Sequence, residues 1–313
     1  MAEQKKGCFS ILWKVALVIL LLLAAAIYWF FYDNRAPSDG EYKLDIAAIR
    51  VEADKIEGEK PSAIEVETPW ISDAPKIAFV AGTSWDDIAM SGNSYRVVLP
   101  GGAVIIDAAL DPKTAEEWGS KFDDGAWNRM LTAMSEASHI VITHEHADHI
   151  GGLMHNPDLK ALRPKLRLTP EQIALPNKSN ERPWPEGAFD GLTPTTYDSL
   201  LAIAPGVVLI KAPGHTPGTH MIYVQRVDGQ EYLFMGDIVS MADNMKLQRI
   251  RSRAITDLMT MEDRDEVFRQ TKALLTLSKA EPNIVMIPGH DLAAVEAIVK
   301  KGLIKNGFTR QAP

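Results

Sequence analysis

Four good metal ligands crowd into six positions of this chain, in the stretch Thr143-His144-Glu145-His146-Ala147-Asp148-His149. An apolar, β-branched run, Ile140-Val141-Ile142, precedes it, and Gly151-Gly152 follows. That order predicts a strand end, a turn filled with ligands, and the small-residue start of a helix. A fold that accepts it must hold imidazoles and a carboxylate together at the end of a strand, a donor set suited to zinc or iron.

The rest of the chain answers this stretch. Of the eight histidines, two more stand in Pro/Gly turns after apolar runs: Pro213-Gly214-His215-Thr216-Pro217-Gly218 and Pro288-Gly289-His290-Asp291. Between them, Leu233-Phe234-Met235-Gly236-Asp237 is a further strand ending in a carboxylate. Glycine lets the backbone turn sharply and aims the next side chain across the strand ends. Cys8 is the single cysteine, so metal ligands must be His, Asp or Glu, and no intrachain disulfide forms.

The pattern His-x-His-x-Asp-His, then Gly-His, Gly-Asp and Gly-His, resembles the metallo-β-lactamase-fold superfamily of binuclear metallohydrolases, from Ile77 to the C-terminus. The resemblance implies two divalent metal ions, expected to be zinc. It implies His144, His146 and His215 on one ion, Asp148, His149 and His290 on the other, and Asp237 bridging the pair. Asp148 and Asp237 are the carboxylates expected to take part in catalysis. A metal-bridging hydroxide would attack an ester, lactone or thioester-type substrate. Phosphodiester or β-lactam cleavage, and an inactive membrane-anchored binding module, stand as alternatives. Acyl-homoserine lactonases carry a tyrosine three positions after the bridging aspartate, where this chain has Ser240. Asp107, closing the run Ala103–Ile106, is expected either behind the metal centre, as in the resembled fold, or as the cap of a helix near 112–118.

The N-terminus carries the second strong signal. No charged residue falls between Val15 and Phe31, and Ile11-Leu12-Trp13 extends the run past Lys14. About 20 apolar residues cross a bilayer. Trp13, Tyr28, Trp29 and Tyr32 mark the two ends, as interfacial aromatics do. Lys5, Lys6 and Lys14 flank the first end, so the positive-inside rule puts the N-terminus in the cytoplasm and the chain beyond about Arg35 outside. Cleavage at Ala24-Ala25-Ala26 would leave a mature end reading Ile-Tyr-Trp-Phe-Phe-Tyr, so an uncleaved signal-anchor is expected.

The expected organisation is a cytoplasmic N-terminus over 1–10, a transmembrane anchor over 11–32, a tether over 33–75 with a short amphipathic helix over 45–55, and a hydrolase domain over 76–313. Within that domain, strands are predicted over 77–80, 95–99, 103–106, 166–168, 221–224, 231–234 and 284–287. Helices are predicted over 111–137, from Thr169-Pro170, over 262–277 and over 293–301. Strands followed by helices, twice over, suit an α/β fold, a four-layer αββα sandwich, preceded by the single transmembrane helix. At 313 residues, 46% hydrophobic and 24% charged, the chain is long and apolar enough for such a core. Its net charge of −8 excludes a nucleic-acid partner. The expected partners are the membrane and a small-molecule substrate, lipophilic or anionic; the sequence assigns no oligomeric state.

Three stretches keep two readings each. The basic run from Lys246 to Arg253 either receives an anionic substrate group or is a solvated face. Trp184 and Phe189, in the loop-rich stretch 177–197, either roof the site or pin their loop. His155 and His220 either support the ligands or stand apart from them, while His139 is expected to be structural.

Overall fold

Alternation along the strands divides the apolar side chains of this chain among three layers. The computed structural model describes residues 2–174 and 184–309. One sheet runs β11–β1–β2–β3–β5, from Lys305–Asn306, Ala63–Pro75, Asp87–Leu99, Gly102–Ile106 and His139–Val141, with β4 (Lys121–Phe122) on β1. The other runs β10–β9–β8–β7–β6, from Val285–Ile287, Glu231–Phe234, His220–Gln225, Val207–Lys211 and Leu200–Ala204. Val97, Val104, Ile106 and Val141 of the first sheet meet Leu209, Ile222, Val224 and Phe234 of the second. The side chains one position out of step point the other way. Ile105 and Ile140 pack with Met130 and Leu153 under the helices Asp124–Glu136 and Ala147–Met154. Val208, Tyr223 and Leu233 pack with Ile49 and Leu274 under the helices Ile46–Ala53 and Arg264–Ala280. The result is the expected four-layer αββα sandwich.

Three expectations are corrected. From Ala63 the supposed tether is β1, paired with β2 along most of its length. Its charged residues are buried by distant partners: Glu65 accepts from Arg96, and Glu67 from Arg129 and the Phe308 amide. The helix Ile46–Ala53, capped by Asp45, is likewise packed in place, with Arg50 bonded to both Glu231 and Glu281. The apolar run 77–80 is a short helix, Lys76–Phe79, because four apolar residues fit a buried helical turn as well as a strand. The run 166–168 makes only an isolated bridge, Ile140 to Leu166.

The apolar N-terminal segment is helical from Ala2 and turns into a π-helical turn at Tyr28–Tyr32. Its span Ile11–Tyr32 is long and apolar enough to cross a membrane, and its side chains from Ile11 to Ile27 are exposed. Beyond it the chain does not hang free. The Gly82 amide donates to Phe31, the Phe31 ring lies 4.7 Å from Trp85, and the Ile250 amide donates to the Asn34 side chain. The first part of the loop-rich stretch, 177–183, lies outside the described residues. Trp184 and Phe189 meet edge to face and join the core beneath the helix Asp124–Glu136, while Arg163 donates to the carbonyls of Gly187, Ala188 and Asp190. The rings therefore pin their loop.

Candidate metal centre

Every ligand-bearing turn follows a strand, and all of them open at the same edge of the two sheets. β5 leads to the 143–149 turn, the β7–β8 connection carries His215, and β9 and β10 deliver Asp237 and His290. Close approach at this edge excludes larger residues in the turns. A Cβ on Gly289 would stand 2.3 Å from Asp237 Oδ1. A Cβ on Gly152 would stand 2.2 Å from the Ala108 carbonyl, which accepts from the Gly152 amide instead.

The seven expected ligands come together. Donor atoms of His144, His146 and His215 lie within 4.8 Å of one another, and so do those of Asp148, His149 and His290. Asp237 stands between the two groups, its Oδ1 3.1 Å from His290 Nε2 and its Oδ2 3.7 Å from His215 Nε2. Most are buried; His146 and Asp148 reach the open side.

A set of bonds behind the ligands fixes how the rings face. Asp107 accepts from the Thr143 amide at 2.6 Å and from its hydroxyl, and its Oδ2 lies 2.9 Å from His149 Nδ1. This is the reading of Asp107 behind the ligand turn; capping of the helix Pro112–Glu117 falls to Asp111. Asp107 holds a left-handed φ of 61°, a conformation uncommon outside glycine and met where a site over-determines the backbone. His290 Nδ1 faces the Ser91 carbonyl at 3.0 Å, and His215 Nδ1 faces Glu262 Oε2 at 2.9 Å. Arg251 Nη2 is also 2.7 Å from His215 Nδ1; of the three groups only the carboxylate is always an acceptor, so the ring hydrogen belongs to Glu262. A hydrogen bond at Nδ1 leaves Nε2 free for a ligand. His146 presents Nδ1 instead, 2.9 Å from His215 Nε2.

Glu262 was not legible as a site residue, and Arg251 was legible only within the basic run, in another role. Glu262 is fully buried and accepts from Arg251 at 2.6 Å, and Arg251 also pairs with Asp237 and bonds Ser240. Arg251 therefore neither receives a substrate anion nor faces solvent, and Ser240 fills the lactonase-tyrosine position as a partner of Asp237. The sequence holds one faint signal: Glu262 and Asp263 both precede the helix Arg264–Ala280, which needs only Asp263 as its cap. Glu145 also turns inward, accepting from Thr216 and the Gly218 amide. His155 pairs with Asp111, His220 faces Tyr197, and neither reaches the ligand cluster.

The electrostatics suit a cation. Burial, then its histidine neighbours, holds His144 well below the usual imidazole range, and burial with His215 brings His146 down to about 3. Both rings are thus neutral and able to ligate. Burial would lower His149 and His290, but Asp107 on the first and Asp237 on the second prevail, and His290 is pushed up to about 10. Asp237 stays ionised despite burial because His290 and His149 stand against it. One buried atom, His144 Nε2, has no hydrogen-bond partner although it faces the cluster, and Asp237 Oδ1 meets only imidazole nitrogens, His290 Nε2 at 3.1 Å and His149 Nε2 at 3.6 Å. An orphaned donor of this kind, among five imidazoles and two carboxylates, fits divalent first-row metals.

The comparisons with known proteins agree with this geometry. A quorum-quenching N-acyl homoserine lactone lactonase superposes with a TM-score of 0.60 at 15% identity, covering 77% of this chain and 97% of that one. An N-acyl homoserine lactone hydrolase with its product N-hexanoyl-L-homoserine bound at the catalytic metal centre gives 0.58 at 14%, covering 76% and 96%. AidC, a dizinc quorum-quenching lactonase in complex with a product, gives 0.51 at 16%, covering 72% and 86%. An atrochrysone carboxyl ACP thioesterase, dmxR1, of Cryptosporiopsis sp. (strain 8999) is 26% identical over 215 residues, 65% of this chain. The match spans 56% of that relative's length. The family model described as the metallo-beta-lactamase superfamily matches residues 88–290, well over half of the sequence. The chain belongs to the metallo-beta-lactamase superfamily.

Proposed function

We propose that this chain is a membrane-anchored hydrolase of carboxylic ester-type bonds, an ester, lactone or thioester, working with two zinc ions. His144, His146 and His215 would hold one ion, Asp148, His149 and His290 the other, and Asp237 both. The single observation that carries the reading is the convergence of seven ligand side chains at one sheet edge, with His144 Nε2 unpartnered. When bound, the ions would lower the pKa of water and polarise the oxygen of the bond to be cut. Asp237, backed by Arg251, keeps its charge and its place between the two histidine groups. Asp148, half-buried on the open side, is positioned to take a proton from the attacking water and hand it to the departing oxygen or sulfur. The balance is that of hydrolysis: water adds across the acyl bond, giving an acid and an alcohol or thiol.

A lactonase and a thioesterase among the proteins compared support acyl substrates over phosphodiesters. Ser240, in the lactonase-tyrosine position, favours an open-chain ester or thioester, because that oxygen is turned toward Arg251 and Asp237. The test is a panel of lactones, thioesters, phosphodiesters and β-lactams on the full chain, with metal content measured alongside. Acyl esters or thioesters should turn over with two ions per chain. Turnover of phosphodiesters or β-lactams alone, or a folded protein holding no metal, would overturn the reading.

A further inference from the structure

The segment that follows Arg251 touches the apolar anchor on one side and the metal cleft on the other. At the anchor end, Arg253 lies 4.2 Å over the Trp29 ring and pairs with Asp33, and Arg264 donates to the Asp33 carbonyl. Arg253 continues into the turn Thr256–Thr260, and its Nη1 pairs with Asp257. At the cleft end, Met259 and Met261 line a cavity of about 550 Å³ whose wall includes His146, His215, Pro213 and Pro217. Five residues of helical path separate Arg253 from Leu258, about 7.5 Å at 1.5 Å per residue. The outer end of the anchor and the mouth of the cleft are therefore neighbours.

This mouth is apolar where water would be expected. Leu258, Met259 and Met261 are 66%, 64% and 78% exposed, three large apolar side chains in four positions. Met261 holds a left-handed φ of 54°, a conformation costly for its residue type. Trp85, 52% exposed, stands against Phe31 and donates to the Tyr32 hydroxyl at 3.3 Å. The 22-residue span Ile11–Tyr32 is about 33 Å long, against about 30 Å of hydrocarbon, so Tyr28–Tyr32 falls at the interface. What is packed on Tyr28–Tyr32 shares that level.

We infer that the cleft opens against the bilayer in which the chain is anchored, and that its substrate is a membrane-resident acyl ester or thioester whose hydrocarbon chain lies along Met259 and Met261 with its carbonyl at the histidines. Leu258 dips into the lipid beside that path. The inference rests on the anchored-hydrolase reading and names its substrate class. A bilayer is favoured over a second protein as the occupant because the patch is continuous with the end of the span and includes methionines, which adapt to irregular chains.

The experiment uses the full chain in nanodiscs of phosphatidylethanolamine and phosphatidylglycerol. In a Cys8→Ser background, Leu258→Cys carries an environment-sensitive dye, with Val227→Cys, exposed at the β8–β9 turn, as the aqueous control. The dye at 258 should shift to the blue and be quenched by lipids bearing a doxyl group on the acyl chain; the dye at 227 should do neither. Emission at 258 matching that at 227 overturns the inference. So does a dye shielded from water but untouched by the lipid quencher, which points to a protein partner. Leu258→Glu should lower kcat/KM several-fold on a long-chain acyl thioester in the same bilayer, with little change on a short-chain soluble one. Equal loss on both overturns the inference. If the native chain hydrolyses neither thioester, the hydrolase reading fails, whereas the dye still decides where the mouth lies.

Discussion

Removing the Glu262 carboxylate tests how the metal site is supported. Glu262 is buried between His215 Nδ1 and Arg251, and Arg251 is itself only 3% exposed. In Glu262→Ala the guanidinium keeps Asp237 Oδ2 at 3.4 Å and the Ser240 hydroxyl, but loses its better-placed carboxylate. Breaking a buried pair by deleting one partner costs about 3–5 kcal/mol. At about 2–4 °C per kcal/mol for a domain of this size, Tm should fall by about 6–20 °C. His215 also loses its acceptor, and loss of such a supporting bond weakens metal binding about 10–100-fold. The double variant Arg251→Met with Glu262→Leu separates the two effects. With both charges gone and the volume filled, stability should return to within about 2 kcal/mol of the parent, while zinc affinity stays weak because Nδ1 still has no acceptor. Thermal unfolding of the metal-free protein, with chelator competition for affinity, reads both quantities. A double variant no more stable than the single one, or Glu262→Ala binding zinc like the parent, would refute the reasoning.

Asp237→Ala should lower kcat by at least about 100-fold, near 3 kcal/mol of lost transition-state stabilisation, with the fold retained because no apolar cavity opens. Near-parental kcat with both ions retained would count against its place between the histidine groups. The acid limb of stability gives another test, since Arg251 and His215 overcome burial and lower Glu262 from 4.5 to about 2. A lowered carboxylate contributes stability present above the unfolded value and lost as pH falls through the folded one. The Tm difference between the metal-free parent and Glu262→Gln should thus be level above about pH 5 and shrink on acidification toward about 2; a gap that persists or widens there contradicts it. For topology, a reporter active only outside the cytoplasm should work when fused after Pro313, and one active only inside should fail; the reverse would reject the charge-flank argument.

The clustering of the seven candidate ligands was legible because their chemistry and their turns are both local. A histidine after Pro-Gly at the end of an apolar run declares its strand and its direction within six residues, as Pro213–His215 and Pro288–His290 do. The sheet alternation is local too, so Tyr223 and Leu233 could be assigned to strands without knowing which helix covers them. β1 was hidden for the opposite reason. Glu65 and Glu67 make it look solvated, and the residues that bury them, Arg96, Arg129, Phe308 and Thr309, lie tens to hundreds of positions away.

The same distinction explains why the basic run deceived. Charge density along Lys246–Arg253 says nothing about which guanidinium turns inward, because that depends on acids brought in from other elements. Arg253 finds Asp33 just past the apolar N-terminal segment, Arg249 finds the Ala81 carbonyl, and Arg251 finds Asp237 and Glu262. One short segment thus ties the apolar N-terminal segment, the turn after the short helix Lys76–Phe79 and the candidate ligand Asp237 together by three arginines within five positions. Such a segment cannot shift at Asp33 without straining the bond behind Asp237. Arg253→Ala, itself in contact with none of the candidate ligands, should therefore loosen the Tyr28–Tyr32 contact and weaken zinc binding together, whereas a variant on the helix Ile46–Ala53 such as Arg50→Ala should lower stability alone.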